Sequence, residues 1–184
     1  MRRSDFEHVI AAAAEHLGED EFVVIGSQSI HASSVEPPGD LLESMEVDLY
    51  PRGEPERAVE VEVVMGDGSY FHSTFGYYAH AVGPETAKAP GGWENRLIQI
   101  IVPPRKGSNR APTAYCLEPH DLVLAKLARG DERDWSYAKA ALRSGLVHLS
   151  VLLTRLDTSP VSDPYREDIR ASLREIADAP HGAG

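Results

Sequence analysis

The passage that most constrains this chain is a buried strand that breaks at a glycine, followed by a second strand with alternating charge. Residues 22–34, FVVIGSQSIHASS, run apolar from Phe22 to Ile25, break at Gly26-Ser27 and restart with helical spacing. That pattern predicts a strand turning through glycine into a helix N-terminus, whose free N–H groups and dipole suit a phosphate. Residues 44–51, SMEVDLYP, alternate Met45, Glu46, Val47, Asp48, Leu49. On a strand, Glu46 and Asp48 project from one face, and Met45, Val47 and Leu49 from the other. Two carboxylates on a rigid strand beside a Gly-Ser turn can hold a divalent metal against a nucleotide's phosphates. The same residues also have a plainer explanation, as a capped turn and the solvated face of a half-buried strand.

Composition narrows the function classes. The chain carries a formal net charge of −11, a field that repels polyanions unless basic residues cluster locally, so a dedicated nucleic-acid binder is disfavoured. Arg105, Lys106 and Arg110 form the local basic cluster, in a polar loop. A single cysteine, Cys116, excludes an internal disulfide and argues against a Cys-rich zinc site. His72 and His80 lack a partner at zinc spacing. Apolar runs fall short of a membrane span, and acidic residues interrupt the N-terminal alanine run, so the expectation is a cytoplasmic protein without a membrane partner.

Along the chain, helical periodicity over 4–17 ends at Gly18, with Ser4 and Glu7 spaced as a capping box. Strands are expected at 22–25 and 46–50, with a helix at 27–34 between them and a helical turn at 40–44. The segment 56–65 alternates valine with glutamate, which favours a strand by pattern. Residues 65–93, rich in aromatics and glycine, read as a long loop broken by a short strand near 77–82, the rings either lining a pocket or plugging one end of the sheet. A strand at 95–102 and another at 113–117 form a hairpin, and helices follow at 120–130, 132–143, 148–157 and 164–177.

The Gly26-Ser27 turn followed by Glu46 and Asp48 resembles the polymerase-beta-type nucleotidyltransferase superfamily, and within it the small bacterial nucleotidyltransferase-like proteins, which include toxins of toxin–antitoxin pairs. The run EPHDLVLAKLARGDERD resembles the same family. The resemblance implies an α/β fold: a small mixed sheet flanked by helices, with a C-terminal helical cap. Together with the helical pattern of the C-terminal portion and its Gly-rich end, it divides the chain into a core at 1–117, a helical region at 118–178 packed on that core, and a disordered tail at 179–184. It implies a helix rather than a strand at 56–65. It makes Gly26 and Ser27 phosphate contacts, Glu46 and Asp48 ligands of Mg²⁺, Lys126 a further phosphate contact, and Asp134 a residue that orients Lys126 or assists catalysis. The first acid is glutamate where the family has aspartate, and the gap from Ser27 to Glu46 is longer than in minimal members. The family's third acid comes from a later strand, yet the strand at 95–102 carries no carboxylate. Either two acids suffice, or another acid such as Glu62 or Asp67 substitutes, or the metal site is degraded; all three alternatives stand open at this point.

The expected activity is transfer of a nucleotidyl group from a nucleoside triphosphate to an acceptor, protein or RNA, with a cognate antitoxin as partner if the chain is a toxin. The alternative is a non-catalytic interaction module that keeps the fold.

Overall fold

The computed structural model describes residues 1–34 and 36–179. Val35, at the start of the expected VEPPGD turn, and the tail beyond Ala179 lie outside the described residues.

Among the described residues, five strands form one mixed sheet in the order β3-β2-β1-β5-β4, with β1 at Glu21–Val24, β2 at Glu46–Pro51, β3 at Tyr78–Ala81, β4 at Ile98–Ile101 and β5 at Thr113–Cys116. β1 is antiparallel to β2 and parallel to β5; β2 is parallel to β3, and β4 is antiparallel to β5. The central strand β1 is covered on both faces, which is why FVVI is apolar without alternation. Phe22 and Val24 pack on one side with Phe6, Val9 and Ile10 of helix α1 (Arg3–Leu17) and with Val61 and Met65 of α2 (Ala58–Met65). Val23 and Ile25 pack on the other side with Leu122, Leu124 and Leu127 of α4 (Pro119–Arg129). Helices α5 (Glu132–Arg143), α6 (Leu149–Leu156) and α7 (Asp163–Asp178) extend that second layer. Short α3 (Tyr70–Phe75) precedes β3. This is the α/β architecture with a mixed sheet and C-terminal helices that the sequence led us to expect.

β2 differs from β1 in being amphipathic across the sheet. Val47 and Leu49 are fully buried against the α1 layer, so Glu46 and Asp48 must face the α4 side. There the helical layer stops short of the β3 edge, and a cleft opens.

Four local expectations are corrected. α1 begins at Arg3, with Asp5 rather than Glu7 accepting the backbone N–H at the cap, from Arg2 at 3.3 Å. The helix expected at 27–34 is a six-residue 3₁₀ segment, Ser27–Ala32. The loop expected at 65–93 contains α3, capped by the Ser69 hydroxyl, which accepts the His72 N–H at 3.0 Å, and ended by Gly76 at φ 78°. Its rings Phe71, Phe75 and Tyr77 surround His8 of α1, Tyr77 Oη lying 2.7 Å from His8 Nδ1, so they plug the α1 side of the sheet. The fourth correction concerns the third acid. The strand at 95–102 is β4, separated from β2 by β1 and β5, so it cannot supply a ligand beside Glu46 and Asp48. The neighbour of β2 on that side is β3.

Candidate active site

The site grows from a steric fit between the glycine turn and β2. After β1 the chain stays paired, Ile25 N–H donating to the Asp48 carbonyl at 3.1 Å, and then turns at Gly26. Gly26 has φ −89° and ψ −166°, extended backbone open to any residue, so conformation does not demand the glycine. Space does. A Cβ there would lie 1.6 Å from Asp48 Oδ2 and 2.5 Å from its Cγ. The Asp48 carboxylate occupies the volume that a side chain would fill, and the Gly-Ser turn and the acidic strand are one packed unit. Ser29 closes the turn, its N–H and hydroxyl donating to the Gly26 carbonyl at 3.0 and 2.6 Å.

β3 completes the acidic face. In the parallel register Glu46 lies opposite Tyr78, and Asp48 opposite His80. The Tyr78 hydroxyl donates to Glu46 Oε2 at 3.0 Å, and His80 Nδ1 sits 2.7 Å from Asp48 Oδ1. Burial pushes the Asp48 carboxyl up from its ordinary range, and the charge of Glu46 adds to this against the His80 and Lys126 contributions. For His80, burial pulls the imidazole down, but the Asp48 hydrogen bond and the charges of Asp48, Glu62 and Glu46 outweigh it and hold the group above its ordinary value. Burial and the Glu46 hydrogen bond raise the Tyr78 phenol to about 12.

The cationic wall comes from α4 and α5. Lys126 Nζ donates to Ser27 Oγ at 2.9 Å, lies 3.8 Å from Asp134 Oδ1 and sits 4.5 Å from the centre of the Tyr137 ring. Asp134 is buried and held by Arg129 through Nε at 3.1 Å and Nη2 at 2.8 Å. Burial lowers the Lys126 pKa, with Asp134 opposing and Arg129 reinforcing the shift. The fork–fork pair with Arg129 fixes Asp134, which in turn keeps an acceptor beside the ammonium. All six residues singled out from the sequence, Gly26, Ser27, Glu46, Asp48, Lys126 and Asp134, therefore meet around one cleft.

That cleft has two compartments. One, of about 680 Å³, is lined by Ser44, Met45, Tyr78, Asp134 and Tyr137; the other, of about 380 Å³, by Gly26, Asp48, His80 and Lys88. Ser27, Glu46, Lys126 and Arg129 line both and form the divide. These volumes are in the range of small-molecule sites.

Sequence reasoning missed Tyr78, His80, Arg129 and Tyr137. The YAHA segment carried a signal: Tyr78 and His80 repeat the two-residue spacing of Glu46 and Asp48, as the next strand of the same face would. Spacing along the sequence could not show this grouping, because the residues come from neighbouring strands. His72 does not line the cleft: it sits beside Asp67 at 3.0 Å, accepts the Gly68 N–H at 3.2 Å and packs its ring against Tyr78, centroids 4.7 Å apart.

One family model, described as nucleotidyltransferase of unknown function (DUF6036), matches residues 4–177. The chain belongs to that family. No curated protein and no solved structure matches it. In this DUF6036 chain the matched span contains the whole cleft lining, from Ile25 to Ala140. Among the described residues, no helix is long and apolar enough to cross a membrane.

The residues present fit a divalent cation. Glu46, Asp48 and His80 each offer one donor atom, and these atoms lie within 4.8 Å of one another. The space over Gly26 is what lets the Asp48 carboxylate take part.

Proposed function

We propose that the chain transfers a nucleotidyl group from a nucleoside triphosphate to an acceptor hydroxyl. The observation that carries the reading is the convergence of Lys126, from the distant helix α4, on Ser27 Oγ at 2.9 Å, facing the acidic face of β2 across the cleft. A solvated lysine has no reason to sit there. Its ammonium and the Ser27 hydroxyl would hold phosphate oxygens, with Arg129 and Asp134 keeping Lys126 in place. The six-residue 3₁₀ segment that begins at Ser27 offers little helix dipole, so phosphate binding falls to these side chains. Glu46 and Asp48 would hold the divalent ion, Mg²⁺ being the ion that a carboxylate pair alone suits. When bound, such an ion neutralises charge on the phosphates during transfer. The acceptor oxygen forms a bond to the α-phosphorus, releasing its proton to solvent, as the bond from the α-phosphorus to the bridging oxygen of the β-phosphate breaks, and pyrophosphate leaves. Positioning and electrostatics supply most of the catalysis.

The acceptor is a protein or an RNA, and the formal charge of −11 favours the less anionic of the two. A toxin role with a cognate antitoxin rests on the resemblance, and growth arrest on expression, relieved by co-expressing the neighbouring gene, tests it. The transferase is tested by incubating the chain with a divalent ion and each α-labelled nucleoside triphosphate, with cell extract as the acceptor source. Label appearing on a macromolecule, and lost in Asp48→Asn, is the expected result. A protein that neither transfers label nor gains thermal stability with any nucleotide at millimolar concentration is instead a non-catalytic interaction module on the same fold.

A further inference from the structure

The strand pairing that removes β4 from the site puts an imidazole where a third carboxylate was sought. We propose that His80 is a direct ligand of the metal held on β2, and that the site consequently prefers a first-row transition dication such as Mn²⁺ or Co²⁺ over Mg²⁺. The use made of the ion rests on the transferase reading; the donor set rests on geometry alone.

The register of β2 and β3 places Asp48 directly opposite His80, both on the cleft face. One donor atom from each of Glu46, Asp48 and His80 falls within a 4.8 Å span, compact enough for one ion. His80 is about half exposed at its side chain, so its ring can take up a ligand without unpacking the core. Around it the structure is anionic: Glu46 and Asp48 on β2, and Glu62 of α2, whose Oε2 accepts the Ala81 N–H at 3.2 Å and so sits at the β3 edge. Glu62 therefore has a structural task on β3, and the nitrogen of His80 is the third donor in the compact set.

Donor chemistry then decides the metal. Mg²⁺ is hard, keeps its waters and selects oxygen, whereas imidazole nitrogen strengthens binding of first-row transition dications. Exchanging one carboxylate of an all-oxygen set for imidazole thus moves the preference away from Mg²⁺. The competing role for His80 is outside the coordination sphere, orienting Asp48 through the 2.7 Å hydrogen bond. The two roles differ in whether nitrogen touches the metal.

The full chain is titrated with Mn²⁺, followed by loss of the free-ion electron paramagnetic resonance signal, and Mg²⁺ is then used to displace it. Pulsed resonance on the bound Mn²⁺ reads nitrogen coupling. The expected result is imidazole coupling in wild type and tighter binding of Mn²⁺ than of Mg²⁺. In His80→Asp the coupling disappears and the Mn²⁺ preference over Mg²⁺ narrows. His80→Asn, which removes the imidazole without adding charge, also loses the coupling while circular dichroism shows a retained fold. Mn²⁺ bound without nitrogen coupling, or a metal preference unchanged in His80→Asp, overturns the assignment and leaves the transferase reading intact. A wild-type chain that binds neither ion, with or without a nucleoside triphosphate, overturns both.

Discussion

The contact between Gly26 and Asp48 gives a quantitative test of the site. In Gly26→Ala the backbone needs no adjustment, because φ −89° and ψ −166° suit alanine. Replacing glycine by alanine at a compatible position stabilises by about 0.4–1 kcal/mol through the unfolded chain. Against this, the new methyl would sit 1.6 Å from Asp48 Oδ2, 2.5 Å from Cγ and 2.8 Å from Cβ. The Asp48 side chain must rotate, breaking its 2.7 Å contact with His80, or β2 must shift. Overpacking of this kind costs about 1–3 kcal/mol. The net expectation is a loss of about 1–2 kcal/mol, which for a chain of this size is a melting-temperature drop of roughly 2–8 °C.

Most of that cost should belong to the carboxylate. In an Asp48→Ala background the contacts at 1.6 and 2.5 Å vanish and only the one at 2.8 Å remains. A double-mutant cycle by urea denaturation should therefore show Gly26→Ala costing less in that background, with a coupling of about 1 kcal/mol. Gly26→Ala should also lose Mn²⁺ binding, since a rotated Asp48 no longer meets Glu46 and His80. Equal cost in both backgrounds, or wild-type metal affinity in Gly26→Ala, refutes the claim that turn and acidic strand are one steric unit.

Three further outcomes are expected. Lys126→Ala should weaken nucleoside triphosphate binding about 10–100-fold by calorimetry, the worth of one charge-assisted hydrogen bond, with little change in melting temperature because Arg129 still holds Asp134. Asp121, fully buried at the start of α4, accepts Arg96 Nε at 2.7 Å and Arg155 Nη1 at 3.0 Å, so Asp121→Ala should cost about 3 kcal/mol in chemical denaturation by removing the carboxylate both guanidiniums share, leaving Arg155 only Glu118 and Arg96 only the Pro90 and Gly91 carbonyls. Burial lowers the His31 imidazole to about 4, helped by the charge of Arg3; the unfolded chain then binds the proton more readily, so this contribution is full above about pH 6.5 and lost as pH falls toward 4. With partial solvent access allowed for, the loss is about 2 kcal/mol, and His31→Asn should flatten that acid limb in urea midpoints taken at pH 7 and 4.5.

How much of this was legible in the sequence depends on whether the signal is local. The acidic face of β2 was legible because a period of two leaves Val47 and Leu49 no alternative to the core. Helix α2 was legible only through the resemblance. Its valine–glutamate alternation argues for a strand, yet Ala58, Val61 and Met65 recur at helical spacing and are the residues buried, leaving Val59 and Val63 exposed at 61% and 81%. α3 was missed because six residues give too little periodicity, although Ser69 and Gly76 mark both its ends.

The misplaced strand, the one where a third acid was sought, has a different cause. Strand order is set by which hydrophobic faces meet, and residues 95–102 read as a strong strand without saying which neighbour they take. Their actual neighbour, β5, pairs with β1, which puts them at the sheet edge opposite β3. What the sequence did hold was a pattern shared by two strands. EVDL and YAHA each place two polar side chains two residues apart around a small or branched apolar one, and parallel pairing turns that shared spacing into the direct oppositions Glu46–Tyr78 and Asp48–His80. Gly26 and Asp48 obey the same logic across an antiparallel pair: each was read as half of a motif, and the 1.6 Å clash that a Cβ would meet shows each half requiring the other. A site built on a sheet is thus better sought as matching polar spacings on separate strands than as ligands clustered along one segment.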